Sequence, residues 1–172
     1  MTTLLLVRHG ETDWNAEGRL QGHTDRPLSE FGRRQAHALA DRLAGDSIVA
    51  VYASDLSRAR ETAEIVAARL GLDVALDPRL REKDWGTWEG LTPEERDRVE
   101  LVGESTQAHR DRMLASLLEI AARHPGERVV VVTHGGSVRR AQAAVSGFAM
   151  PVIDNCSVWA CAWKDGSLRP ID

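Results

Sequence analysis

Two stretches of the chain share one pattern, Leu4-Leu5-Leu6-Val7-Arg8-His9-Gly10 and Val129-Val130-Val131-Val132-Thr133-His134-Gly135. Each has four consecutive apolar residues, then one polar residue, a histidine and a glycine. Four apolar residues in a row are typical of a strand buried on both faces, as the strands of parallel sheets are. The pattern therefore predicts two central strands that each place a histidine at the end of the sheet.

Strand and helix patterns alternate along the rest of the chain. Apolar residues at helical spacing predict helices over about 29–43, 56–70, 104–123 and 135–145. Further strands are predicted at 48–53, 74–76 and 156–163. Residues 10–27 are expected to form a long loop, and residues 79–103 have no regular pattern. This alternation is typical of an α/β fold, and we expect a three-layer sandwich with a mostly parallel central sheet flanked by helices.

Length and composition narrow the class of protein. The chain has 172 residues, so residues 1–172 are expected to form a single domain. A net charge of −4 argues against a nucleic-acid partner, and the longest apolar run, residues 48–53, is too short to cross a membrane. The two cysteines, Cys156 and Cys161, are too few for a disulfide framework. No basic leader precedes the first apolar stretch, so we expect a soluble, cytoplasmic protein.

Several basic side chains are predicted to meet at one edge of the sheet. Ligands of open α/β sheets bind beyond the carboxyl ends of the strands, where His9 and His134 would both lie. Arg8 directly precedes His9, and Arg58 lies shortly after the strand predicted at residues 48–53. The glycine after each histidine allows close approach of a ligand to the backbone, and the helix predicted from Gly135 offers N–H groups to an anion.

Such a group of cations is costly unless an anion lies among them. Guanidinium groups bind phosphoryl oxygens in a bidentate manner, and an imidazole can become a phosphohistidine that water later hydrolyses. A leaving alkoxide needs a proton, and the candidate acids are Glu82 and Glu89. The residues alone decide neither between these two acids nor between His9 and His134 as the nucleophile.

A zinc site is a less favoured reading of the same residues. The arginines beside the two histidines would repel a divalent cation, and no His-x-x-x-His or cysteine spacing supports metal binding. We therefore expect no metal ligands and no cofactor. Positions on solvated helix faces are predicted for His37, His109, His124, Arg139 and Arg140. Trp85 and Trp88 are expected to form a local core rather than to stack on a substrate ring.

The sequence around His9 resembles a known signature. Arg8-His9-Gly10-Glu11-Thr12, with Asn15, is similar to the signature of the histidine phosphatase superfamily, the phosphoglycerate mutase-like proteins. The likeness continues in family order through residues 21–29, 54–63, 80–90, 103–105, 132–136 and 155–158. These blocks extend from residue 4 to residue 158, which is nearly the whole chain.

The resemblance implies a role for each residue. It implies that His9 is the phosphorylated nucleophile and that Glu82, at the Leu-Arg-Glu position, is the general acid and later the base. It implies that the phosphoryl group is bound by Arg8, Arg58, His134 and Asn15. The surrounding rim that meets the rest of the substrate is expected to include Gln21, Gly22, His23 and Gly135.

The family contains both mutases and phosphatases, and two departures favour a phosphatase. Only 51 residues separate Glu82 from His134, whereas cofactor-dependent mutases resemble one another in a longer, proline-rich insert with Trp-Arg-Arg. Those mutases also tend to read Tyr-Gly-x-Leu-Gln-Gly where residues 85–90 read Trp-Gly-Thr-Trp-Glu-Gly.

We therefore predict a phosphomonoester hydrolase that acts on a small phosphorylated metabolite. Two alternatives stay open: a cofactor-dependent phosphoglycerate mutase, and a weakly catalytic module that binds a phosphorylated ligand. We expect a monomer or a homodimer, and the last predicted strand, residues 156–163, is a candidate edge for pairing between subunits.

Overall fold

The structure is a computed structural model that describes residues 1–171. Its strands are β1 (Thr2–Arg8), β2 (Ile48–Ala53), β3 (Val74–Leu76), β4 (Arg128–Thr133), β5 (Val158–Lys164) and β6 (Ser167–Pro170). Its helices are α1 (Asp13–Ala16), α2 (Glu30–Leu43), α3 (Ser57–Leu70), α4 (Pro93–Arg96), α5 (Thr106–Arg123) and α6 (Gly135–Ser146). Short 3₁₀ turns lie at Pro78–Leu80 and Gly86–Trp88. Among these residues, no helix has both the length and the apolar character needed to cross a membrane.

The strands form one mixed sheet in the order β3-β2-β4-β1-β5-β6. The pairs β3·β2, β2·β4 and β4·β1 are parallel, whereas β5 and β6 run antiparallel to their neighbours. In the central pair, Thr3 lies opposite Arg128 and Arg8 lies opposite Thr133. The two strands that end in a histidine are therefore adjacent and parallel, as their apolar runs predicted.

Alternate side chains of β1 enter two different apolar layers. Leu5 and Val7 pack with α2 and α3 on one face of the sheet, and Leu4 and Leu6 pack with α5 and α6 on the other. All four are buried. Burial of each such side chain contributes about 1.5–3 kcal/mol, which explains why residues 4–7 of the strand are all apolar. The predicted three-layer α/β sandwich with a mostly parallel sheet is confirmed.

The part of the sheet formed by the carboxyl-terminal residues differs from the prediction. A sixth strand, β6, follows the turn at Asp165 and Gly166, both of which have positive φ. β5 therefore lies between β1 and β6, and the expectation that residues 156–163 form a sheet edge was wrong. Cys156 precedes β5 in a left-handed conformation, and it and Cys161 are both buried and unpaired.

Two glycines allow the start of α2 to pack against the loop that follows β1. A Cβ atom at Gly10 would lie 2.5 Å from the carbonyl oxygen of Gly32. A Cβ atom at Gly32 would overlap the backbone of Glu11. Because neither residue has a side chain, the backbone directly after His9 is held against the first turn of α2.

We expect Gly32→Ala to destabilise the fold by roughly 1–3 kcal/mol, because the added methyl group overlaps backbone atoms that cannot move aside. This sign is opposite to the usual gain of up to about 1 kcal/mol for alanine within a helix. Gly45→Ala is the control, since no atom lies within 4 Å of a Cβ at that position. Urea denaturation measures both, and equal stability of the two variants would contradict the close approach.

Candidate active site

The carboxyl ends of the central strands bring the predicted basic residues together. His9 follows β1 and His134 follows β4, and their ring centroids are 5.1 Å apart. Arg58 lies in the first turn of α3, directly after β2, and Arg8 is the last residue of β1. All four side chains line one cleft of about 250 Å³.

His9 is buried and has a defined tautomer. Its Nδ1 atom is 2.7 Å from the carbonyl oxygen of Gly10. Because a carbonyl oxygen only accepts hydrogen bonds, we assign the ring proton to Nδ1 and the lone pair to Nε2. Burial, followed by the charges of Arg58 and Arg8, lowers the pKa of His9 well below its usual value. The imidazole is therefore neutral at neutral pH.

Backbone and side-chain contacts from distant segments hold His9 in place. The amide of Asn155 donates to the carbonyl oxygen of His9 at 2.9 Å, and the N–H of Gly10 donates to Thr62 Oγ1 at 3.0 Å. Neither Asn155 nor Thr62 was predicted from the sequence to belong to the site. Both lie in blocks that resemble the family, so the signal that marks them is their place in those blocks.

Two arginines line the cleft, Arg58 buried and Arg8 partly buried, and neither has a salt bridge to a carboxylate among the described residues. Arg58 is 1% exposed and donates to the carbonyl oxygens of Thr24, at 3.0 Å, and Gly22, at 2.7 Å. Burial lowers the pKa of Arg58 to about 10, so it stays charged at neutral pH. Arg8 donates through Nη1 to the carbonyl oxygen of Ile153.

His134 is the second buried histidine and the N-cap residue of α6. Its Nε2 atom is 2.9 Å from Ser54 Oγ, and its Nδ1 atom has no partner within residues 1–171. Burial and the charge of Arg58 lower the pKa of His134 well below its usual value. Ser54 was also missed as a site residue, although it opens one of the family-like blocks.

The cleft contains three buried nitrogen atoms that lack a partner in the described part of the chain. They are Nε of Arg8, Nε of Arg58 and Nδ1 of His134. A buried polar atom without a hydrogen bond costs roughly 1–3 kcal/mol. A ligand with negative charge and several acceptor oxygens would bond to these atoms and reduce that cost. The arrangement is therefore suited to a phosphoryl group.

The structure separates the two candidate acids. Glu82 lines the cleft, where its Oε2 accepts from the N–H of Gly136 at 2.8 Å and its Oε1 from the N–H of Lys83 at 2.9 Å. Glu89 is outside the cleft lining and accepts from the N–H groups of His23, at 2.8 Å, and Thr24, at 2.7 Å. Glu89 thus holds a loop in place, and of these two carboxyl groups only that of Glu82 lines the cleft.

Asn15, predicted to bind the phosphoryl group, and the four predicted rim residues divide into two groups. Asn15, Gln21, Gly22 and Gly135 line the cleft, as the prediction requires. The Oδ1 atom of Asn15 accepts from Thr12 and Asn155, which leaves its amide nitrogen for a ligand. His23 does not line the cleft; its Nε2 is 2.9 Å from the carbonyl oxygen of Glu82. It supports the backbone of the candidate acid instead.

Of the residues predicted on solvated faces, three are not fully exposed: His109, His124 and Arg140. His109 is completely buried, so its predicted surface position was wrong. Arg139 is exposed but lines the cleft. His124 is partly buried between Tyr52, at 3.0 Å, and Glu127, at 2.9 Å. His109 could have been placed correctly, since it falls on the helical stripe that includes Met113, Ser116, Leu117 and Ile120.

Trp85 packs in a local cluster and also borders the cleft. Its ring stacks on Trp88, with centroids 6.0 Å apart and planes at 10°, and Lys83 Nζ lies 4.2 Å from its centroid. Trp85 also lines the cleft. Because other groups already contact the ring, it is better placed to bound the cleft than to stack on a substrate. No group of three or more His, Cys, Asp or Glu side chains in residues 1–171 is arranged to hold a metal ion.

Comparison with known proteins agrees with this geometry. Residues 4–170 match the histidine phosphatase superfamily (branch 1). The chain is similar to phosphoglycerate mutase-like protein 4 of Arabidopsis thaliana, at 42% identity over 79% of this chain and 67% of that protein. It is also similar to a metal-independent phosphoserine phosphatase of the same plant, at 40% identity over 81% of this chain and 66% of that protein. The match therefore spans about two thirds of the length of these relatives.

A solved structure shows the same fold along almost the whole chain. The structure of a mycobacterial glucosyl-3-phosphoglycerate phosphatase complexed with VO3 has a TM-score of 0.87 and 32% identity. The similarity covers 97% of this chain and 95% of that one.

The buried histidines predict that acid destabilises the fold. The pKa values of His9 and His134 are lowered, whereas an unfolded histidine titrates near pH 6.5. Below about pH 6.5 the unfolded state takes up protons that the folded state does not. We therefore expect the free energy of unfolding to fall by up to about 1.4 kcal/mol per pH unit for each such histidine.

Urea denaturation between pH 7 and pH 5, in phosphate-free buffer, measures this slope. His134→Gln removes one of the titrating groups and should make the slope shallower. His37→Asn, at an exposed position of α2, is the matched control and should leave it unchanged. A free energy of unfolding that does not change with pH would contradict burial of neutral histidines.

Proposed function

The chain belongs to branch 1 of the histidine phosphatase superfamily, and from that membership we propose that it hydrolyses phosphomonoesters through a phosphohistidine on His9. The observation that carries the proposal is the tautomer of His9. The carbonyl oxygen of Gly10 holds the Nδ1 proton, so the lone pair of Nε2 is free for attack on phosphorus. The lowered pKa of His9 keeps this nucleophile unprotonated at neutral pH.

The cationic groups of the cleft are assigned to the phosphoryl oxygens. Arg8 and Arg58 supply two positive charges, which balance the two negative charges of a phosphomonoester dianion. His134 supplies a neutral N–H, and the amide nitrogen of Asn15 supplies a further donor. The three unpaired nitrogen atoms of Arg8, Arg58 and His134 support this assignment, since a phosphoryl group would give each of them an acceptor.

Glu82 is assigned to proton transfer in both steps. In the first step Nε2 of His9 bonds to phosphorus, the bond from phosphorus to the ester oxygen breaks, and that oxygen takes a proton from the Glu82 carboxyl group. In the second step the Glu82 carboxylate takes a proton from water, the water oxygen bonds to phosphorus, and the phosphorus–nitrogen bond breaks. Inorganic phosphate leaves, and both Glu82 and His9 regain their starting protonation states.

Hydrolysis is favoured over phosphoryl transfer back to the substrate. A mutase must hold its phosphoenzyme away from water, which requires a segment that covers the cleft. Within residues 83–105, Trp85 alone lines the cleft of this chain. The remaining residues of that segment do not line the cleft, which supports access of water to a phosphohistidine on His9.

A small phosphorylated metabolite is the substrate class that we propose. The cleft has room for one, at about 250 Å³. Two relatives are described as phosphatases of phosphoserine and of glucosyl-3-phosphoglycerate. A mutase activity is the second candidate, because another relative is described as phosphoglycerate mutase-like. A binding module without turnover would not require both an unprotonated His9 and a carboxyl group beside it.

We expect the wild-type protein to release inorganic phosphate from phosphoserine, 3-phosphoglycerate or another member of a panel of phosphorylated metabolites, with little conversion of 3- to 2-phosphoglycerate. His9→Ala should abolish release of phosphate, and exposed His37→Ala should retain it. A phosphate assay together with ³¹P NMR of the phosphoglycerates measures both reactions. Efficient interconversion without release would identify a mutase, and binding without either reaction would identify a binding module.

We expect Glu82→Gln to slow the hydrolysis of alkyl phosphates by roughly 10²–10⁴-fold, because an alkoxide leaving group needs a proton. The loss should be much smaller for p-nitrophenyl phosphate, whose leaving group is stable as an anion. The glutamine also places an NH₂ group near one of the two backbone donors, so thermal melting must show that it folds. Glu100→Gln, at an exposed position of the same segment, is the control. Equal losses on both substrates would reject Glu82 as the acid.

A further inference from the structure

His109 is a buried polar residue on a helix face that is otherwise largely apolar. It lies in the first turn of α5 and is 0% exposed, and the same face continues through Met113, Leu117 and Ile120. A buried polar ring costs free energy unless its nitrogen atoms are bonded, and Nδ1 of His109 has no partner within residues 1–171. An aliphatic side chain would avoid that cost, so packing alone does not account for a histidine here.

The ring of His109 lies close to Glu82, the proposed general acid. Its Nε2 atom is 2.9 Å from Ser137 Oγ and 3.8 Å from Oε1 of Glu82. Ser137 follows Gly136, whose N–H donates to Oε2 of the same carboxyl group at 2.8 Å. The carboxyl group of Glu82 is thus bounded by the first turn of α6 on one side and by His109 on another.

The contacts of Ser137 favour one orientation of the ring proton. The Ser137 hydroxyl is 3.5 Å from the carbonyl oxygen of Arg81, which only accepts. When that hydroxyl donates to Arg81, its oxygen accepts from Nε2–H of His109, and Oε1 of Glu82 lies 3.8 Å from the same Nε2 atom. This assignment leaves Nδ1 as an unbonded lone pair rather than as an unbonded donor.

His109 acts on Glu82 as a neutral group. Burial lowers the pKa of His109 to about 4, against the opposing effect of the Glu82 charge. The other charged side chains near the ring are Arg112, Arg140 and Glu104. A neutral imidazole places the polar Nε2 atom 3.8 Å from Oε1 of Glu82 without adding a charge beside the carboxyl group.

We propose that His109, together with Ser137, is a positioning residue for Glu82 that holds its carboxyl group in the orientation from which it transfers a proton. This inference rests on the function proposed for Glu82, and His109 itself does not line the cleft. It also explains why a largely apolar helix face carries a histidine at the position that lies 3.8 Å from the Glu82 carboxyl group.

The test compares His109→Leu with His109→Gln. Leucine removes the N–H at similar volume, whereas the glutamine amide keeps a donor of similar reach. We expect His109→Leu to lower kcat/KM for an alkyl phosphate by roughly 10-fold, a fraction of what general acid catalysis contributes, and to change p-nitrophenyl phosphate hydrolysis much less. His109→Gln should restore most of the loss, and the melting temperature of His109→Leu should equal or exceed that of the wild type.

Two further variants keep the test decisive. Ser137→Ala removes the oxygen between the ring and Arg81 and should give the same dependence on the leaving group, even if His109→Leu fails to fold. Met113→Leu, one turn further along the same face, is the control and should change neither substrate selectively. Equal losses on both substrates, or a loss that glutamine does not restore, would mean that His109 acts only in packing and would overturn the inference.

A measurement that does not depend on turnover separates this inference from the proposed function. The ¹³C resonance of the Glu82 carboxyl group, assigned by its loss in Glu82→Gln, is followed from pH 3 to pH 8 in the wild type and in His109→Leu. A change in its shift or titration midpoint supports the contact even if the wild type releases no phosphate, a result that would reject the proposed function alone. Identical titrations would overturn the inference whatever the activity.

Discussion

The parallel pairing of β1 with β4 is the constraint on which the site depends. Arg8 lies opposite Thr133, and each is followed by a histidine. This register therefore places His9 beside His134, with their ring centroids 5.1 Å apart. Side chains alternate between the faces of a sheet, so a slip of one residue would move every apolar side chain of a strand into the wrong layer. The buried runs 4–7 and 129–132 resist that slip, at roughly 1.5–3 kcal/mol for each side chain. Apolar packing therefore sets the position of the two histidine rings.

The arrangement of polar groups at the carboxyl ends of the strands costs the ligand-free protein stability. Folded proteins leave few buried polar atoms without a partner. Six side-chain nitrogen atoms of residues 1–171 are in that state, on Arg8, Arg58, His109, Arg128, His134 and Arg140. Three of these residues line the cleft, and His109 lies behind Glu82. A bound phosphoryl group would offer acceptors to the first three, so part of its binding free energy comes from relieving a cost that is already present.

The sequence predicted the central strands, the main helices and the basic cleft because each depends on local spacing and on burial. β6 was missed because it has only four residues, although Asp165 and Gly166 form a recognisable turn. His109 was placed on the surface from its residue type, whereas its spacing from Met113 on the helix indicated the core. The choice between Glu82 and Glu89 was beyond local patterns. Both lie in an irregular segment, and their orientation depends on contacts with residues more than 50 positions away.

Histidines at the two ends of the sheet differ in how many of their ring nitrogen atoms form hydrogen bonds. At the end opposite the cleft, His124 bonds through both ring nitrogen atoms, to the Tyr52 hydroxyl and to Glu127. The fold is thus able to supply two partners to a histidine. At the cleft, His9 and His134 each bond through one nitrogen atom only within the described chain. Stability would favour a second partner for each ring. The free nitrogen atoms are therefore best explained by a partner that comes from solution, and the charges of Arg8 and Arg58 specify that it is an anion.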